Sequence, residues 1–543
     1  MTKNHPGAQV CLFSLIFLLC GTAQAAEPES PPKVSVSAAA MKELQELAIQ
    51  HNGRVKPFDS FAWETVDRLT GSARFRDEDP VNTILSIVAH PDAWQEVPLL
   101  SVPFGPLREA LGLGRRTTHV SYNELISTRK LMRMLPPIVE KQQRSEKLTM
   151  LENETMELFD RFVIFTSLIK QELHLVPPSK SGQAWLPILP AEEWVGLISA
   201  LREGNASSAQ RAHELVQRLQ ATNPSLYPAR WRLRLEVIYN HLGPFRIARL
   251  FYLLAAVLLL LFAVNVQWVR LPGIGIGLYG AALLIHATGI LTRVVLGGRP
   301  PVSNFYETML WLPFVGAVLA LVFERIYRSG FFGFSGGILA AIVLLLADHL
   351  PLDPSISPVV AVLRSNLWLT IHVLTVVGSY APIALATVLA HLYGWFFLAG
   401  GEQHPALPSL SRYLYRSIQV GVVLLSAGIM LGAVWANASW GRYWGWDPKE
   451  TWALITLLWY LSVLHGRFAG WLKGVWMALC TIAGFFLLLM TYYGVSFYLV
   501  GLHSYAGGSA KPMPPLLIAY LLAEAAFIAW VALRAVNLRR QPV

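Results

Sequence analysis

Charge is scarce in this chain, and cysteine is almost absent. Only 14% of its 543 residues are Asp, Glu, Lys or Arg, against 54% hydrophobic, whereas soluble globular chains are nearer a quarter charged. That balance excludes an ordinary soluble protein and points to a membrane one. Cys11, Cys20 and Cys480 are the only cysteines. They cannot build a disulfide framework, and with no C-x-x-C or C-x-x-C-H the chain holds neither a dithiol redox pair nor a covalently attached haem of its own. Cys480, alone in an apolar run, reads as a small buried hydrophobe. The scarcity of charge is also uneven. Residues 1–249 hold 28 of the 44 Lys and Arg and 26 of the 34 Asp and Glu, leaving 16 and 8 for residues 250–543. The front is nearly neutral and rich in both signs. The back carries +8 of the net +10, as membrane spans with basic ends do, so the basic balance calls for lipid and not nucleic acid.

Residues 1–26 read as a signal peptide or N-terminal anchor. Lys3 precedes an apolar run from Cys11 to Cys20, and Ala23-Gln24-Ala25 gives a small-x-small cleavage pattern. Residue 27 onward then leaves the cytoplasm. Residues 27–246 have the composition of a soluble, mainly helical extracytoplasmic domain. Helices are expected over 38–50 and 152–173, with Pro- and Gly-rich loops at 98–114 and 177–182. Its histidines (His51, His90, His119, His174, His213 and His241) are scattered and form no catalytic constellation.

Residues 247–543 carry long apolar runs. A span takes about 20 apolar residues at about 1.5 Å rise each. Nine are expected, near 249–268, 273–295, 305–325, 332–349, 368–399, 417–437, 449–466, 472–498 and 514–534. The fold class is therefore an all-α polytopic membrane protein with about nine transmembrane helices, preceded by a helical soluble domain. With the front domain outside, the C-terminus is cytoplasmic and ten basic residues fall on inner connections against six on outer ones, in the sense of the positive-inside rule. The run Arg230–Arg249 opposes the rule, but it belongs to a long translocated domain, where the rule carries little weight.

Tryptophan is concentrated where charge is not. Six of the 18 Trp lie between Trp435 and Trp459. A belt of interfacial aromatics would account for some of them. It does not require Trp440, Trp444, Trp446 and Trp452 interleaved with Gly441, Arg442, Gly445, Asp447 and Lys449, a composition suited to an aromatic shelf for a planar apolar ligand. Asp447-Pro448-Lys449-Glu450 also has the pattern of a helix start, with an acceptor at the N-cap, Pro at N1 and Glu at N3. Asn304 and Glu307 stand in the same relation.

The segment Trp440-Gly-Arg-Tyr-Trp-Gly-Trp-Asp-Pro-Lys-Glu-Thr-Trp452, running on to Leu464-His-Gly-Arg467, resembles the WWD signature of the cytochrome c assembly family. Arg364-Ser-Asn-Leu-Trp-Leu-Thr-Ile-His372 with Ser379-Tyr380, Gly501-Leu-His-Ser-Tyr505 and Gly298-Arg-Pro-Pro-Val-Ser-Asn-Phe-Tyr-Glu307 are similar to segments of its CcsA (ResC) branch, the system II haem-handling proteins. The resemblance covers about 270–510. It makes residues 247–543 a haem-handling domain with its WWD loop at about 435–459. It also implies that haem b is bound transiently, with His372 and His503 as axial ligands to iron at the outer face. His465 would hold haem within the membrane together with a histidine of a ResB-like partner. Placement agrees, because His372 lies near the start of the fifth span and His503 just after the eighth, both beside the Trp loop, and neutral imidazole is a usual haem ligand. His465 lies 17 residues beyond Pro448, about 26 Å along a helix, too far to share that haem. Arg442 and Lys449 are candidates to neutralise haem propionates, while His286 and His349 have no assigned role. Asn52-Gly-Arg-Val-Lys-Pro-Phe-Asp59 resembles an extracytoplasmic segment of longer members in which the ResB-like partner is fused.

The implied function is presentation of haem at the outer face of a bacterial inner membrane for thioether attachment to the C-x-x-C-H of apocytochrome c. This is cytochrome c haem lyase activity shared with the partner, with thiol reductant proteins acting indirectly on the apocytochrome. The alternatives are a system I-type haem delivery protein, a haem exporter with no ligation role, and a membrane redox protein with permanent b-type haems.

Overall fold

Two hydrophobic cores divide the chain, one built between Ala40 and Leu233 and the other between Phe245 and Ala535. The computed structural model describes residues 31–144, 146–188, 191–205, 207–264, 271–350, 352–358, 366–503 and 513–540. The expected signal peptide with Cys11 and Cys20, together with Arg270, Arg364, Tyr505 and Lys511, lies outside the described residues.

The front core is mainly helical, with two corrections to the sequence reading. The helix expected through Gln50 ends at Gln45, and Ala48–His51 pairs antiparallel with Arg54–Pro57. Asn52 and Gly53, both at positive φ (49° and 75°), make the two-residue turn whose twist matches a hairpin, and this local preference overrides helical continuation. The expected loop at 98–114 contains the helix Gly105–Leu111, and Leu100–Ser101 pairs with His119–Val120. The helix expected near 152–173 runs from Met150 to Ile169, opened by a capping box of Thr149 and Glu152.

Among the described residues the back core consists of nine helices: Pro244–Ala263, Leu271–Gly297, Phe305–Tyr327, Phe331–His349, Asn366–Gly400, Leu407–Trp440, Pro448–Phe468, Val475–Tyr498 with an internal π-turn at Met490–Gly494, and Pro515–Arg540. Among the described residues eight are long and apolar enough to cross a membrane. The seventh, Pro448–Phe468, has 21 residues, but Lys449, Glu450, His465 and Arg467 near its ends make it less apolar. The chain is thus an all-α, multi-pass membrane protein. Odd-numbered helices begin, and even-numbered ones finish, at the end of the bundle that carries the front domain.

Charges buried at that end are paired, as a low-dielectric interior requires. Glu307, 1% exposed, accepts from Arg293 Nη2 at 3.1 Å and Arg299 Nη1 at 2.7 Å. Arg293 also donates to Tyr239 Oη of the front domain and to the carbonyl of Pro354. On the front-domain side, Arg54 grips Glu236 with two bonds of 2.7 and 2.5 Å, and Ser60 Oγ donates to the same carboxylate. The front domain is therefore tied to the loops around Pro300 and Pro354 by buried polar contacts. The ninth helix has little other burial, and its sole acidic residue, Glu524, meets His391 Nε2 at 2.9 Å.

Removing one member of a buried pair strands the other, at a cost of about 3–5 kcal/mol. Glu236→Ala is therefore expected to lower the thermal midpoint of the full chain in detergent clearly, and Arg54→Ala with Glu236→Ala is expected to recover part of the loss. An unchanged midpoint in the single variant would show that the pair does not tie the two cores together.

Candidate functional site

The seventh helix starts as its sequence prescribes. Asp447 Oδ2 accepts from the N–H of Lys449 at 3.0 Å, and Glu450 Oε2 reaches back to the N–H of Asp447 at 3.2 Å and of Gly445 at 2.8 Å, closing a capping box. Asp447 does more than cap. Its Oδ1 accepts from the N–H of Leu502 at 2.6 Å, and its Oδ2 accepts from His503 Nδ1 at 2.8 Å. Burial pushes the carboxyl's pKa up, but the bonds from His503 and from the two backbone N–H groups prevail, and it lies below its ordinary value. One ionised carboxylate thus joins the Trp loop to the segment after the eighth helix, 56 residues away. Asn304 caps the third helix in the same manner, but Glu307 binds Ser303, Arg293 and Arg299 rather than closing a box.

His372 is placed by the neighbouring sixth helix. Its Nδ1 lies 2.9 Å from the carbonyl oxygen of Gly428. A carbonyl only accepts, so Nδ1 carries the proton and Nε2 keeps the lone pair. The same logic applies to His503, whose Nδ1 donates to the Asp447 carboxylate. A third histidine with no Nε2 bond among the described residues is His465, whose Nδ1 donates to Leu461 O at 2.7 Å. In contrast, His286 uses both nitrogens, with Leu310 O and Tyr252 Oη, and so does His391, with Thr387 O and Glu524.

His372 and His503 line one cavity with Lys449, Trp444, Tyr380 and Tyr492. Its volume is about 110 Å³. Glycine makes the approach possible in two places. A Cβ on Gly432 would stand 2.6 Å from His372 Cε1, and one on Gly501 would stand 2.6 Å from Asp447 Oδ1. The π-turn contributes Tyr492, whose hydroxyl meets Thr308 Oγ1 at 2.9 Å and whose ring stacks on Phe305 at 4.7 Å. Such turns recur at functional sites.

The tryptophans do not lie in one plane. Trp435, 2% exposed, stacks on His372 (6.0 Å, 13°) and tilts against His503 (5.9 Å, 54°), and Trp440 meets both Trp435 and His503 edge-on. Trp444 lines the cavity, whereas Trp446, at φ 56°, is 70% exposed and meets Trp444 at 89°. Trp452 is not among the lining residues and supplies its carbonyl to Thr456 and Thr491. Arg442 is exposed beside the loop. The structure therefore gathers His372, His503, Trp444 and Lys449 around the space, with Asp447 and Trp440 supporting His503, and leaves Trp446, Trp452 and Arg442 away from it. His465 is exposed near the opposite end of its helix, and His349 is exposed at the end of the fourth. Tyr492 and Gly432 look in the sequence like any residue of an apolar helix, and Trp435 enters there only as the first of the clustered tryptophans.

Two groups here are incompletely matched by the protein. Trp435 Nε1 is buried with no hydrogen-bond partner among the described residues. Lys449 Nζ donates to Ser496 Oγ at 2.8 Å, and among the described residues no carboxylate lies within ion-pair distance of it. The donor set, two imidazole lone pairs with an ammonium and an indole N–H, suits a metal-centred ligand that carries acids.

The cytochrome c assembly protein family model matches residues 302–503, a range that takes in the loop before the third helix, His372, the Trp loop and His503. CcsA, a cytochrome c biogenesis protein of Prochlorococcus marinus strain NATL1A, is 34% identical over 297 residues, 46% of this chain and 92% of its own. The chain belongs to the cytochrome c assembly protein family. CcsA of Guillardia theta is 35% identical over 258 residues, 42% of this chain and 84% of that one. Similarity to the protein NrfI of Wolinella succinogenes reaches further, at 30% over 517 residues and 87% of this chain. The chain spans 55% of NrfI's length. At 87% of this chain, the match to NrfI takes in much of the front domain as well as the membrane part.

The Asp447 network makes a testable statement. Asn at 447 can still cap the helix, but its single carbonyl oxygen cannot serve both Leu502 and His503. Losing a charge-assisted bond of about 1.5–3 kcal/mol should speed hydrogen exchange in 499–503 at least about tenfold in Asp447→Asn. In the wild type, a depressed carboxyl pKa means the stabilisation is present above about 3.9 and lost as pH falls further. Protection, corrected for intrinsic rate, should therefore hold from neutral pH down to the ordinary carboxylate range. Loss of protection between pH 6 and 7 would contradict this reading.

Proposed function

We propose that the chain, as a cytochrome c assembly protein, binds haem b as cargo in the His372–His503 cavity. It then presents the haem to apocytochrome c for thioether attachment, as one subunit of a system II haem lyase. The observation that carries the reading is the shared anchoring: both histidines give Nδ1–H to protein acceptors and both line the same cavity, which leaves Nε2 as the nitrogen for a ligand. Metal-binding imidazoles are oriented in this way by a second acceptor. Lys449 and the indole N–H of Trp435 are the groups that haem propionates would satisfy. Attachment adds each cysteine S–H across a vinyl C=C, the sulfur bonding the inner carbon and the hydrogen the outer. The cysteines and vinyls supply the reactivity, while this chain orients and excludes water. No acid or base beyond the site is invoked.

The front-domain end of the bundle is taken as the periplasmic face of a bacterial inner membrane, with the C-terminus cytoplasmic, on the distribution of Lys and Arg. His465, exposed near the far end of its helix with no Nε2 bond among the described residues, is suited to a second, intramembrane haem shared with a ResB-like partner. Apocytochrome thiols would reach the site already reduced, through separate thiol reductant proteins.

The test is the reduced absorption spectrum of the purified chain, alone and with a ResB-like partner. Sharp low-spin bis-histidine bands are expected in the wild type, lost or broadened in His372→Ala and in His503→Ala. Gly432→Ala, which crowds the His372 ring, should weaken the same bands in chain that is otherwise folded. Wild-type bands surviving in both histidine variants would move ligation to His465 or His349. Haem flux without thioether product would favour an exporter.

A further inference from the structure

The helix Arg230–Leu242 turns its apolar side outward. At about 100° per residue, Leu233, Glu236 and Asn240 fall on one face, between about 140° and 200° from Trp231. That face is turned to the front domain: Leu233 and Glu236 are buried, Glu236 binds Arg54 and Ser60, and Asn240 binds Asp59. Trp231, Leu235, Ile238 and Leu242 lie within about 60° of one another on the opposite face. Trp231 and Leu242 are each 59% exposed and Ile238 is 44% exposed. Three exposed large apolar side chains in line, with half-buried Leu235 among them, would be an aggregation liability in water.

Depth along the bundle says what faces it. Arg232 donates to the carbonyls of Val295 and Leu296, at the end of the second membrane helix. Twelve residues on, the chain enters the first membrane helix against Gly289, where a Cβ would stand 2.8 Å from Phe245 Cε1 and 3.1 Å from Pro244 Cγ. Gly289 lies eight residues short of Gly297, the helix end, so about 12 Å deeper. The second helix has 27 residues, about 40 Å, against a hydrocarbon core of about 30 Å. Centred in that core, it would put Arg232 just outside the boundary and Leu242 several ångströms inside. The stripe also leads directly into exposed Leu250, Leu253, Leu254 and Val257 of the first membrane helix, which lipid must cover.

We propose that Arg230–Leu242 is an interfacial helix: its Trp231–Leu235–Ile238–Leu242 face rests in lipid at the membrane boundary on the front-domain side, while its polar face carries the front domain. The charges of the basic run it belongs to are answered within the protein, Arg234 by Glu46 at 4.0 Å, although the Arg230, Arg234 and Arg246 side chains stay more than half exposed. Arg230 pairs with Glu43 and Glu46, Arg232 with the two carbonyls, and Arg249 and Arg246 with Asp348. The attraction is thus apolar and needs no anionic lipid, and a basic run on this side does not oppose the topology.

The test places single spin-labelled cysteines at 231, 235, 238 and 242, and at Gln210 as an exposed control, in chain with Cys11, Cys20 and Cys480 replaced by Ala. The labelled protein is reconstituted in phosphatidylcholine nanodiscs with and without phosphatidylglycerol. Oxygen, which partitions into lipid, should relax the four stripe labels several-fold more than a water-soluble nickel chelate does, with the order reversed at 210 and no change on adding the anionic lipid. Nickel-favoured labels at the stripe would overturn the proposal, as would a requirement for phosphatidylglycerol. Labels shielded from both reagents would overturn it in favour of a protein partner on that face.

Discussion

The carboxylate of Asp447 is the constraint on which the site depends. It stands at a helix N-terminus, where unsatisfied N–H groups and the helix dipole favour a negative charge, and the remaining lone pairs reach Leu502 and His503. A local requirement of the seventh helix is thereby converted into a long-range one. The segment after the eighth helix can satisfy Asp447 only by bringing His503 to the cavity, and His503 arrives with its tautomer already chosen. Gly501 permits the approach, since any side chain there would strike the carboxylate. A residue that opens a helix thus orients a second side chain, and its two roles share one charge.

The opposite wall is organised by burying charge in pairs. Glu307 gathers Arg293, Arg299 and Ser303 at the head of the third helix, whose first residues line the cavity. Arg293 carries the network on to Tyr239 of the front domain. An isolated charge there would cost several kcal/mol, so the loops between the helices are held in one arrangement. The front domain is thus mechanically continuous with the wall of the cavity, and the helix Arg230–Leu242 is the element through which the two parts meet.

Much of this was legible in the sequence. Apolar runs of about 20 residues have one stable outcome in lipid, where every backbone polar group must be bonded within its own helix, so the membrane helices and their order follow from composition. The helix start at Asp447 follows from short-range capping chemistry, and the family signature brought His372, His503 and His465 forward. Where local signals compete, as at Ala48–Pro57, the Asn-Gly turn outweighed an amphipathic pattern, and the last residues of the expected helix joined a hairpin. The Trp loop was read as a shelf because composition reports which rings are present and not their planes. In the fold Trp435 is buried between the two histidines, and Trp446 faces outward.

The sequence by itself determined the class of protein, the order of its membrane helices and the residue types available for chemistry, because these depend on hydrophobic length and on bonds spanning a few residues. Only the tertiary structure decided which imidazole nitrogen is free, which tryptophan touches which histidine, that Lys449 lacks a carboxylate among the described residues, and that the helix before the first span shows its apolar face outward. Each of those depends on contacts between residues tens to hundreds of positions apart, where a carbonyl, a carboxylate or the absence of a Cβ on a neighbouring helix sets the outcome.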